Sequence, residues 1–371
     1  MFESVINFAQ VEIYGRLEKV LEMKVIDFIL QYTYAMIGGI LFFVSLSKFL
    51  TASIDLDGKH VLVTGGSSGI GLKAAELYAN SGANVTIVAR NQGKLDKAME
   101  SVQKICESKG RVAKSISLDT SIEKDVDEKL GELKVDVLIN CAGISIAGNF
   151  ENLKPSDFEN MLKTNVLGSV YPTRVLLPGM KSRGGGRIVF VASQVAQVAI
   201  HGYTAYAASK WALRGLAEAL QMEVKPYGIL VSVCYPPDTD TPGYEKEMES
   251  KPDITKVLSD SGEVFSAESV AHDIIKYSGQ GYFGISTGFD GWLLKQLHPG
   301  MSPINNLWEV WQGIIFAPLA RFISLFYVAS WDAACAQRLK KELEIYRLKE
   351  LNVEYLTNKN INLKKILETN E

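Results

Sequence analysis

HVLVTGGSSGIGL, residues 60–72, joins a short apolar run to a glycine-rich turn, and a helical stretch follows at once. Glycine permits the tight turn and lets the backbone approach a phosphate, while the N-terminus of the following helix attracts anions. A glycine-rich turn alone is weak evidence, but its place between the first strand and the first helix favours a dinucleotide site. We therefore predict that a pyrophosphate binds at Gly65, Ser67, Ser68, Gly69, Ile70 and Gly71.

Beyond this turn, β-branched apolar runs continue to alternate with helical stretches as far as about residue 281. Runs that are apolar on both faces are typical of strands in a buried parallel sheet, and the stretches between them are long enough for crossover helices. The predicted fold is a doubly wound α/β domain of the Rossmann type. Its predicted strands cover residues 60–64, 85–89, 113–118, 135–140, 187–192 and 230–235, and its predicted helices include residues 72–80, 93–108 and 207–225.

The composition of the 371 residues excludes several classes of protein. With 39 Lys and Arg against 42 Asp and Glu, the formal net charge of −3 removes the strong attraction to polyanions that most nucleic-acid binders need. Hydrophobic residues make up 47%, which excludes a disordered chain. The four cysteines form no CxxC pair and the four histidines have no metal-binding spacing, so we predict neither a disulfide framework nor a metal site.

The end of the second predicted strand indicates which dinucleotide is bound. An NAD site commonly has an acidic residue there for the ribose 2′-hydroxyl, whereas this chain has Arg90, with Lys94 one helical turn further on. Basic groups favour a 2′-phosphate, so we predict NADPH; the alternative is that Arg90 is an ordinary solvated side chain. Asp119 is expected to accept a hydrogen bond from the adenine amino group, and Asn140, Ala142 and Gly143 are expected to run beneath the cofactor.

A second group of residues suggests acid–base chemistry. Tyr206 and Lys210 in YTAYAASK are four residues apart and so share one face of a helix, and Ser193 closes the fifth predicted strand. A neighbouring ammonium would bring the pKa of a tyrosine toward neutral pH, and the Ser193 hydroxyl could hold a substrate carbonyl oxygen. Alone, a YxxxK pair is often only a surface pair; with the glycine turn and Asn165 it predicts a catalytic site.

TGGSSGIG, NCAG, Asn165, Ser193 and YAASK together resemble the short-chain dehydrogenase/reductases over residues 57–280. The resemblance implies that Tyr206 donates the proton in reduction, that Lys210 lowers the tyrosine pKa and holds the nicotinamide ribose, and that Ser193 orients the carbonyl. It also implies that Asn165 fixes a water in the proton relay. Further cofactor contacts are implied at Pro236, Thr239 and Thr241, the two threonine hydroxyls near the nicotinamide carboxamide.

Residues 165–194, 204–229 and 235–243 resemble more narrowly the branch of this family that reduces the 3-keto group of long-chain sphingoid bases. This narrower resemblance implies NADPH, the endoplasmic-reticulum membrane and a catalytic domain that faces the cytosol. The alternatives are a membrane-bound retinoid or steroid dehydrogenase and a non-catalytic, nucleotide-binding membrane scaffold. Asp238 and Asp240 are expected to cap turns or to meet the substrate amino group; an acid–base pair is a further alternative.

Two apolar stretches outside the catalytic region predict a membrane partner. Residues 28–46 contain no charge and are long enough to span a bilayer; the alternatives are a buried helix and a cleaved signal peptide. Residues 310–331 contain Pro318 and Arg321, which favours a hairpin or re-entrant element, or equally a buried docking helix. A homo-oligomer is left open. The predicted organisation is an amphipathic segment at 1–24, a transmembrane helix at 25–50, the catalytic domain at 51–300, a hydrophobic membrane-associated segment at 301–335 and a charged amphipathic tail at 336–371.

The polar stretch from Thr241 to about Phe265 is predicted to be a long mobile loop that closes over the bound headgroup.

Overall fold

A computed structural model describes residues 24–28, 30–39, 42, 53–259, 263–298, 300–304 and 307–358. The chain divides into two compact units, residues 1–52 with 306–312 and residues 53–305 with 313–371. In the first unit, residues 24–28 and 30–39 are helical and mostly exposed. Most of the predicted amphipathic segment at 1–24, much of the second half of the predicted span at 25–50 and the end of the tail lie outside the described residues.

The described part of the second unit contains a seven-stranded, wholly parallel sheet in the order β3-β2-β1-β4-β5-β6-β9. A short parallel pair, β7 with β8, lies outside this sheet. The order reverses between β1 and β4, as in a doubly wound fold, which confirms the predicted fold class. The strands are β1 His60–Thr64, β2 Asn84–Ala89, β3 Ala113–Ser117, β4 Val137–Asn140, β5 Gly186–Val191, β6 Ile229–Tyr235, β7 Thr239–Asp240, β8 Phe265–Ser266 and β9 Gly284–Ser286.

Helices cover both faces of the sheet, because its central strands are apolar on both sides. Val61 and Val63 of β1 pack on one face with α1, α2 and α9, whereas Leu62 packs on the other face with α3, α5 and α6. The helices are α1 Gly69–Asn80, α2 Gln92–Ser108, α3 Glu123–Leu130, α4 Pro155–Met161, α5 Gly168–Arg183, α6 Thr204–Val224, α7 Pro242–Ser250, α8 Asp253–Ser259, α9 Ala267–Gly279, α10 Gly288–Leu297 and α11 Leu307–Asn358.

The predicted strands agree with the structure to within two residues at each end, but other features differ. The short strands β7, β8 and β9 were not predicted, because two or three residues are too few for a period to be recognised. The segment from Thr241 to Phe265 is not one long loop. Its polar residues form α7 and α8, and α7 begins at Pro242 with the Thr241 hydroxyl accepting a hydrogen bond from the Tyr244 amide.

The C-terminal apolar stretch forms part of one continuous helix, α11, of 52 residues. The hairpin interpretation is therefore wrong: the helix continues through Pro318 and through the predicted boundary at 335. Part of it packs on the catalytic domain: Ala320 is buried, and the ring centre of Phe316 lies 5.2 Å from that of Trp292. Among the described residues, Glu309–Lys341 is the one helix that is long and apolar enough to cross a membrane, and 6% of its most apolar window is buried.

Candidate active site

The turn after β1 is closed by backbone contacts that leave room only for glycine. Gly65 has a φ of +69°, its amide donates to Val88 O at 2.7 Å, and an added Cβ would lie 2.9 Å from the Ala142 backbone. An added Cβ at Gly71 would lie 2.4 Å from Gly65 O. The Thr64 hydroxyl accepts hydrogen bonds from the amides of Cys141 and Ala142, which ties the turn to the end of β4. This is the cradle that a pyrophosphate requires.

The start of α1 is suited to an anion. In the described part of the chain the Ser68 side chain makes no capping hydrogen bond, and the first turn of α1 has no acidic residue. The first amides of the helix therefore remain available, together with the positive end of its dipole. An added Cβ at Gly69 would lie 2.9 Å from Cγ2 of Thr241, so the turn and the start of α7 meet at this point. Ser67 and Ile70 lie in the same turn and are partly exposed.

Arg90 and Asp119 lie at the ends of neighbouring strands, where the adenosine half of a dinucleotide would bind. Arg90 Nη1 is 3.8 Å from Asp119 Oδ2, and 62% of the Arg90 side chain is exposed. Burial opposes ionisation of Asp119, but hydrogen bonds from the Ser121 hydroxyl and amide, with the charge of Arg90, lower its pKa overall. Lys94 is exposed in the first turn of α2. The predicted contacts of both basic groups with a 2′-phosphate stay predictions.

The end of β4 carries the small residues expected beneath a cofactor. An added Cβ at Gly143 would lie 3.2 Å from Asn165 Oδ1 and 3.4 Å from Lys210 Nζ, so a larger residue would press on both. The Asn140 side chain is buried, and its amide donates to Thr173 Oγ1 at 3.0 Å. Gly143 therefore separates the predicted cofactor floor from the predicted catalytic residues.

Asn165 is fully buried in a single π-helical turn, Leu162–Leu167, that joins α4 to α5. Its Oδ1 accepts from the Ile144 amide at 2.8 Å, and its Nδ2 donates to Ile144 O at 3.0 Å and to Ser209 Oγ at 2.9 Å. These bonds fix the loop after β4 onto α6 one residue before Lys210. The predicted role of Asn165 in holding a water is not tested by these contacts.

Ser193, Tyr206 and Lys210 come together as predicted. Ser193 follows β5 and hydrogen-bonds with the Tyr206 hydroxyl. Lys210 Nζ lies 5.7 Å from the centre of the Tyr206 ring and donates to Val191 O at 2.9 Å. The lysine is 5% exposed, so its ammonium is held in one position within the domain.

The pKa values of this pair are governed by burial. Burial raises the pKa of Tyr206, the charges of Glu247 and Asp238 raise it further, and the Ser193 hydrogen bond lowers it in part. Burial lowers the pKa of Lys210 to about 8. The sequence predicted that Lys210 would lower the pKa of Tyr206, but the pKa is raised instead, and Tyr206 is protonated at neutral pH.

A buried ionic cluster beside Tyr206 was not predicted. The Lys251 side chain is fully buried, with Nζ 3.2 Å from Asp238 Oδ2 and 3.8 Å from Glu247 Oε1. The Tyr203 hydroxyl donates to Glu247, and the rings of Tyr203 and Tyr206 are 5.6 Å apart. Glu247 and Lys251 are four residues apart, a helical ion-pair spacing that could have revealed them had the segment not been interpreted as a loop.

Pro236 and Thr239 follow β6 at the same edge of the sheet. Pro236 O accepts from the Gln194 amide at 3.0 Å, and the buried Thr239 hydroxyl donates to Pro237 O at 2.7 Å. This arrangement holds the segment after β6 against the segment after Ser193. The predicted cofactor contacts of Pro236, Thr239 and Thr241 stay predictions.

A cavity of about 620 Å³ opens from Ser193. One part of its wall is the chain from Ser193 to Tyr203, and another part is α11. Arg321, whose charge would be unfavourable in a membrane-spanning helix, is one of the residues that line this cavity. The residues of α10 and α11 that line it are Phe289, Asp290, Leu293, Leu294, Leu297, Arg321, Ser324, Tyr327, Val328 and Trp331.

The chain is similar in sequence and in fold to several known proteins. A 3-ketodihydrosphingosine reductase from Bos taurus is 48% identical over 288 residues, which are 76% of this chain and 86% of that protein. A Mus musculus protein of the same name is 45% identical over 308 residues, 80% of this chain and 92% of that protein. Among solved structures, a short-chain dehydrogenase from Streptomyces avermitilis is similar with a TM-score of 0.55 and 28% identity, covering 64% of this chain and 90% of that one.

The model of the protein family described as short chain dehydrogenase matches residues 59–252, which are more than half of the chain. The matched range contains the glycine turn, Asn165, Ser193, Tyr206 and Lys210. The chain belongs to the short chain dehydrogenase family.

Proposed function

We propose that this protein reduces the 3-keto group of 3-ketodihydrosphingosine with NADPH, a step of sphingolipid synthesis. The observation that carries the proposal is that one cavity is lined both by Ser193 and by Tyr327, Val328 and Trp331 of α11. A long-chain ketone has a polar end to present to Ser193 and an apolar chain that needs an apolar wall. The names of the bovine and mouse relatives support the same substrate.

The family and the Rossmann fold imply a nicotinamide cofactor, and the glycine cradle fits one. When bound, the reduced nicotinamide supplies the hydride for the carbonyl carbon. Ser193 donates a hydrogen bond to the carbonyl oxygen and holds it beside Tyr206. Because the pKa of Tyr206 is raised, its hydroxyl carries the proton that the alkoxide oxygen takes up.

Lys210 and Asn165 support this proton transfer in our proposal. The buried Lys210 ammonium lies beside the tyrosine ring, where it stabilises the phenolate that remains after the transfer. It also holds the nicotinamide ribose, while Asn165 fixes a water through which the proton is replaced. The intact Ser193, Tyr206 and Lys210 arrangement argues against a scaffold without activity.

The choice of NADPH over NADH is supported by Arg90 and Lys94. Asp119 lies beside Arg90 and favours a position of the Arg90 side chain at the end of β2, where a 2′-phosphate would be held. A charge-assisted hydrogen bond to that phosphate is stronger than one to a neutral hydroxyl. Asp119 itself would accept from the adenine amino group.

The proposed location is the endoplasmic-reticulum membrane, with the catalytic domain facing the cytosol. A helix apolar enough to cross a membrane forms part of the cavity wall, which suits a substrate that resides in a bilayer. Fractionation with protease protection of epitopes at both termini tests the location and the orientation.

The decisive experiment is product analysis by mass spectrometry with the purified full-length protein in phospholipid nanodiscs. NADPH or NADH is supplied with 3-ketodihydrosphingosine, a retinoid ketone or aldehyde, or a steroid ketone. We expect dihydrosphingosine with NADPH and a much lower rate with the other lipids. Turnover of the retinoid or steroid but not of the sphingoid ketone would replace this proposal with the corresponding dehydrogenase.

A further inference from the structure

The Gln197 side chain has an unusual position in the cavity that opens from Ser193. It is 3% exposed, it lines the cavity, and its Oε1 is buried with no hydrogen-bond partner among the residues that the structure describes. Its backbone is fixed, because the Gln197 amide donates to Gln194 O at 2.8 Å at the end of the 3₁₀ turn Gln194–Ala196. The side-chain carbonyl is thus held in a site that supplies no donor from the protein.

Gln221, another buried glutamine of the same domain, does not share this property. Gln221 is 1% exposed, and its Oε1 accepts from the Val231 amide at 2.7 Å. Leaving a buried acceptor unpaired is unfavourable, and such groups in folded proteins usually have a partner. A buried acceptor left unpaired on a residue that lines a substrate cavity therefore indicates a ligand that brings a donor.

The charged residues that line the same cavity favour a cation. Asp238 lines the same cavity and keeps 31% of its side chain exposed. Asp238 belongs to an ionic cluster of two carboxylates, Asp238 and Glu247, and one ammonium, Lys251, so the formal charge of the cluster is −1. Glu263 and Asp290 also line the cavity, and the opposing positive charge is Arg321 on α11.

We propose that Gln197 and Asp238 form the subsite for the protonated amine of a 2-amino-3-ketone, with Gln197 Oε1 accepting a hydrogen bond from the ammonium. This inference rests on the proposed function. In such a substrate the amine is on the carbon next to the ketone, and Gln197 is four residues from Ser193 on the same stretch of cavity wall. The carbonyl at Ser193 and the amine at Gln197 together fix which face of the ketone meets the hydride.

This subsite explains how the protein would distinguish a sphingoid ketone from other lipid ketones. A retinoid or steroid ketone has no amine on the carbon next to the carbonyl, so its binding would leave the Gln197 acceptor unpaired. Sites built around a hydrogen bond discriminate strongly against analogues that lack the matching group. The apolar wall alone, which any long chain satisfies, would discriminate weakly.

The test compares two substrates and four proteins. The full-length wild type, Gln197→Leu, Gln197→Glu and the control Gln194→Leu are assayed in nanodiscs. The substrates are 3-ketodihydrosphingosine and its 2-deamino analogue, which keeps the ketone, the hydroxyl and the chain. Gln194 lines the same cavity but is partly exposed, so its change alters the wall without removing the open acceptor.

We expect the ratio of kcat/KM for the amine to that for the deamino analogue to fall about 10- to 150-fold in Gln197→Leu, the value of a hydrogen bond to a charged group. The ratio should stay within about threefold of wild type in Gln194→Leu, and it should not fall in Gln197→Glu, which keeps an acceptor and can add a charge that attracts the ammonium. An unchanged ratio in Gln197→Leu overturns the inference. If that variant does not fold, the nearly isosteric Gln197→Met repeats the test.

These results separate the inference from the function on which it rests. Wild type that reduces neither sphingoid substrate contradicts the proposed function. Wild type that reduces both, with a ratio that no Gln197 variant moves, leaves the function intact and removes Gln197 from amine recognition.

Discussion

Replacing Lys251 by methionine is expected to destabilise the protein and to alter Tyr206. Methionine fills a similar volume but leaves Asp238 and Glu247 without the ammonium that lies 3.2 Å and 3.8 Å from them. Both carboxylates are close enough to Tyr206 to raise its pKa already. Without Lys251 their field on the tyrosine becomes stronger, so the pKa of Tyr206 should rise further.

The magnitude follows from burial. Removing one partner of a buried ion pair costs about 3–5 kcal/mol, because an uncompensated charge remains. The Lys251 side chain is fully buried and Glu247 is 12% exposed, but Asp238 is 31% exposed and water relieves part of its cost. We therefore expect the lower end, about 3 kcal/mol. For a domain of this size that corresponds to a decrease of about 6–12 °C in Tm.

The assay is thermal unfolding of the full-length protein in detergent micelles, followed by circular dichroism. Lys256→Met, five residues further along in α8 and partly exposed, is the matched control and should change the free energy of unfolding by less than about 0.5 kcal/mol. Adding Glu247→Gln to Lys251→Met should recover part of the loss, since it removes one uncompensated charge and keeps an acceptor for Tyr203. A Tm of Lys251→Met within 1 °C of wild type would refute this reasoning.

Four further changes test the site. Tyr206→Phe should lower kcat at least about 10²-fold with NADPH binding little changed, and near-normal turnover would remove Tyr206 as the proton donor. Arg90→Asp should lower kcat/KM with NADPH about 10- to 150-fold relative to NADH, and an unmoved cofactor ratio would make Arg90 a solvated residue. Gly71→Ala places a Cβ 2.4 Å from Gly65 O, so cofactor titration should show weaker binding and Tm should fall by the equivalent of about 1–3 kcal/mol. Lys210→Met tests a pH dependence. The pKa of Lys210 is about 8 in the folded protein and 10.5 in the unfolded chain, so the folded protein loses this proton first and wild type should gain stability relative to the variant from about pH 8 to 10.5. A difference in Tm between the two proteins that stays constant over this range would contradict that pKa.

The central sheet could be predicted from the sequence because its strands are buried on both faces. Val61, Leu62 and Val63 of β1 alternate between the two hydrophobic faces, so all three had to be apolar. The catalytic group was also predictable, because the glycine turn, Ser193 and the Tyr206–Lys210 spacing are local patterns. Such local patterns can be recognised without any knowledge of the rest of the fold.

The remaining features depend on contacts between distant parts of the chain. Lys251 looks like one of many surface lysines until the fold buries it against Asp238 and Glu247. Pro318 suggested a break in the C-terminal stretch, but a proline removes only one hydrogen bond and α11 continues past it. Gln197 has no pattern of its own, since its significance lies in the partner that its side chain lacks among the described residues.

The unbroken course of α11 past the cavity affects how the rate of such an enzyme depends on its substrate. Moving a chain of about 15 methylene groups from a bilayer into water costs roughly 12 kcal/mol at about 0.8 kcal/mol per methylene, so desorption would be slow. A cavity wall formed by a helix that is apolar enough to cross a membrane lets a lipid enter by lateral diffusion instead. The quantity that saturates the enzyme is then the mole fraction of substrate in the membrane. Diluting a fixed amount of substrate with inert phospholipid should therefore slow turnover even though its molar concentration in the tube is unchanged.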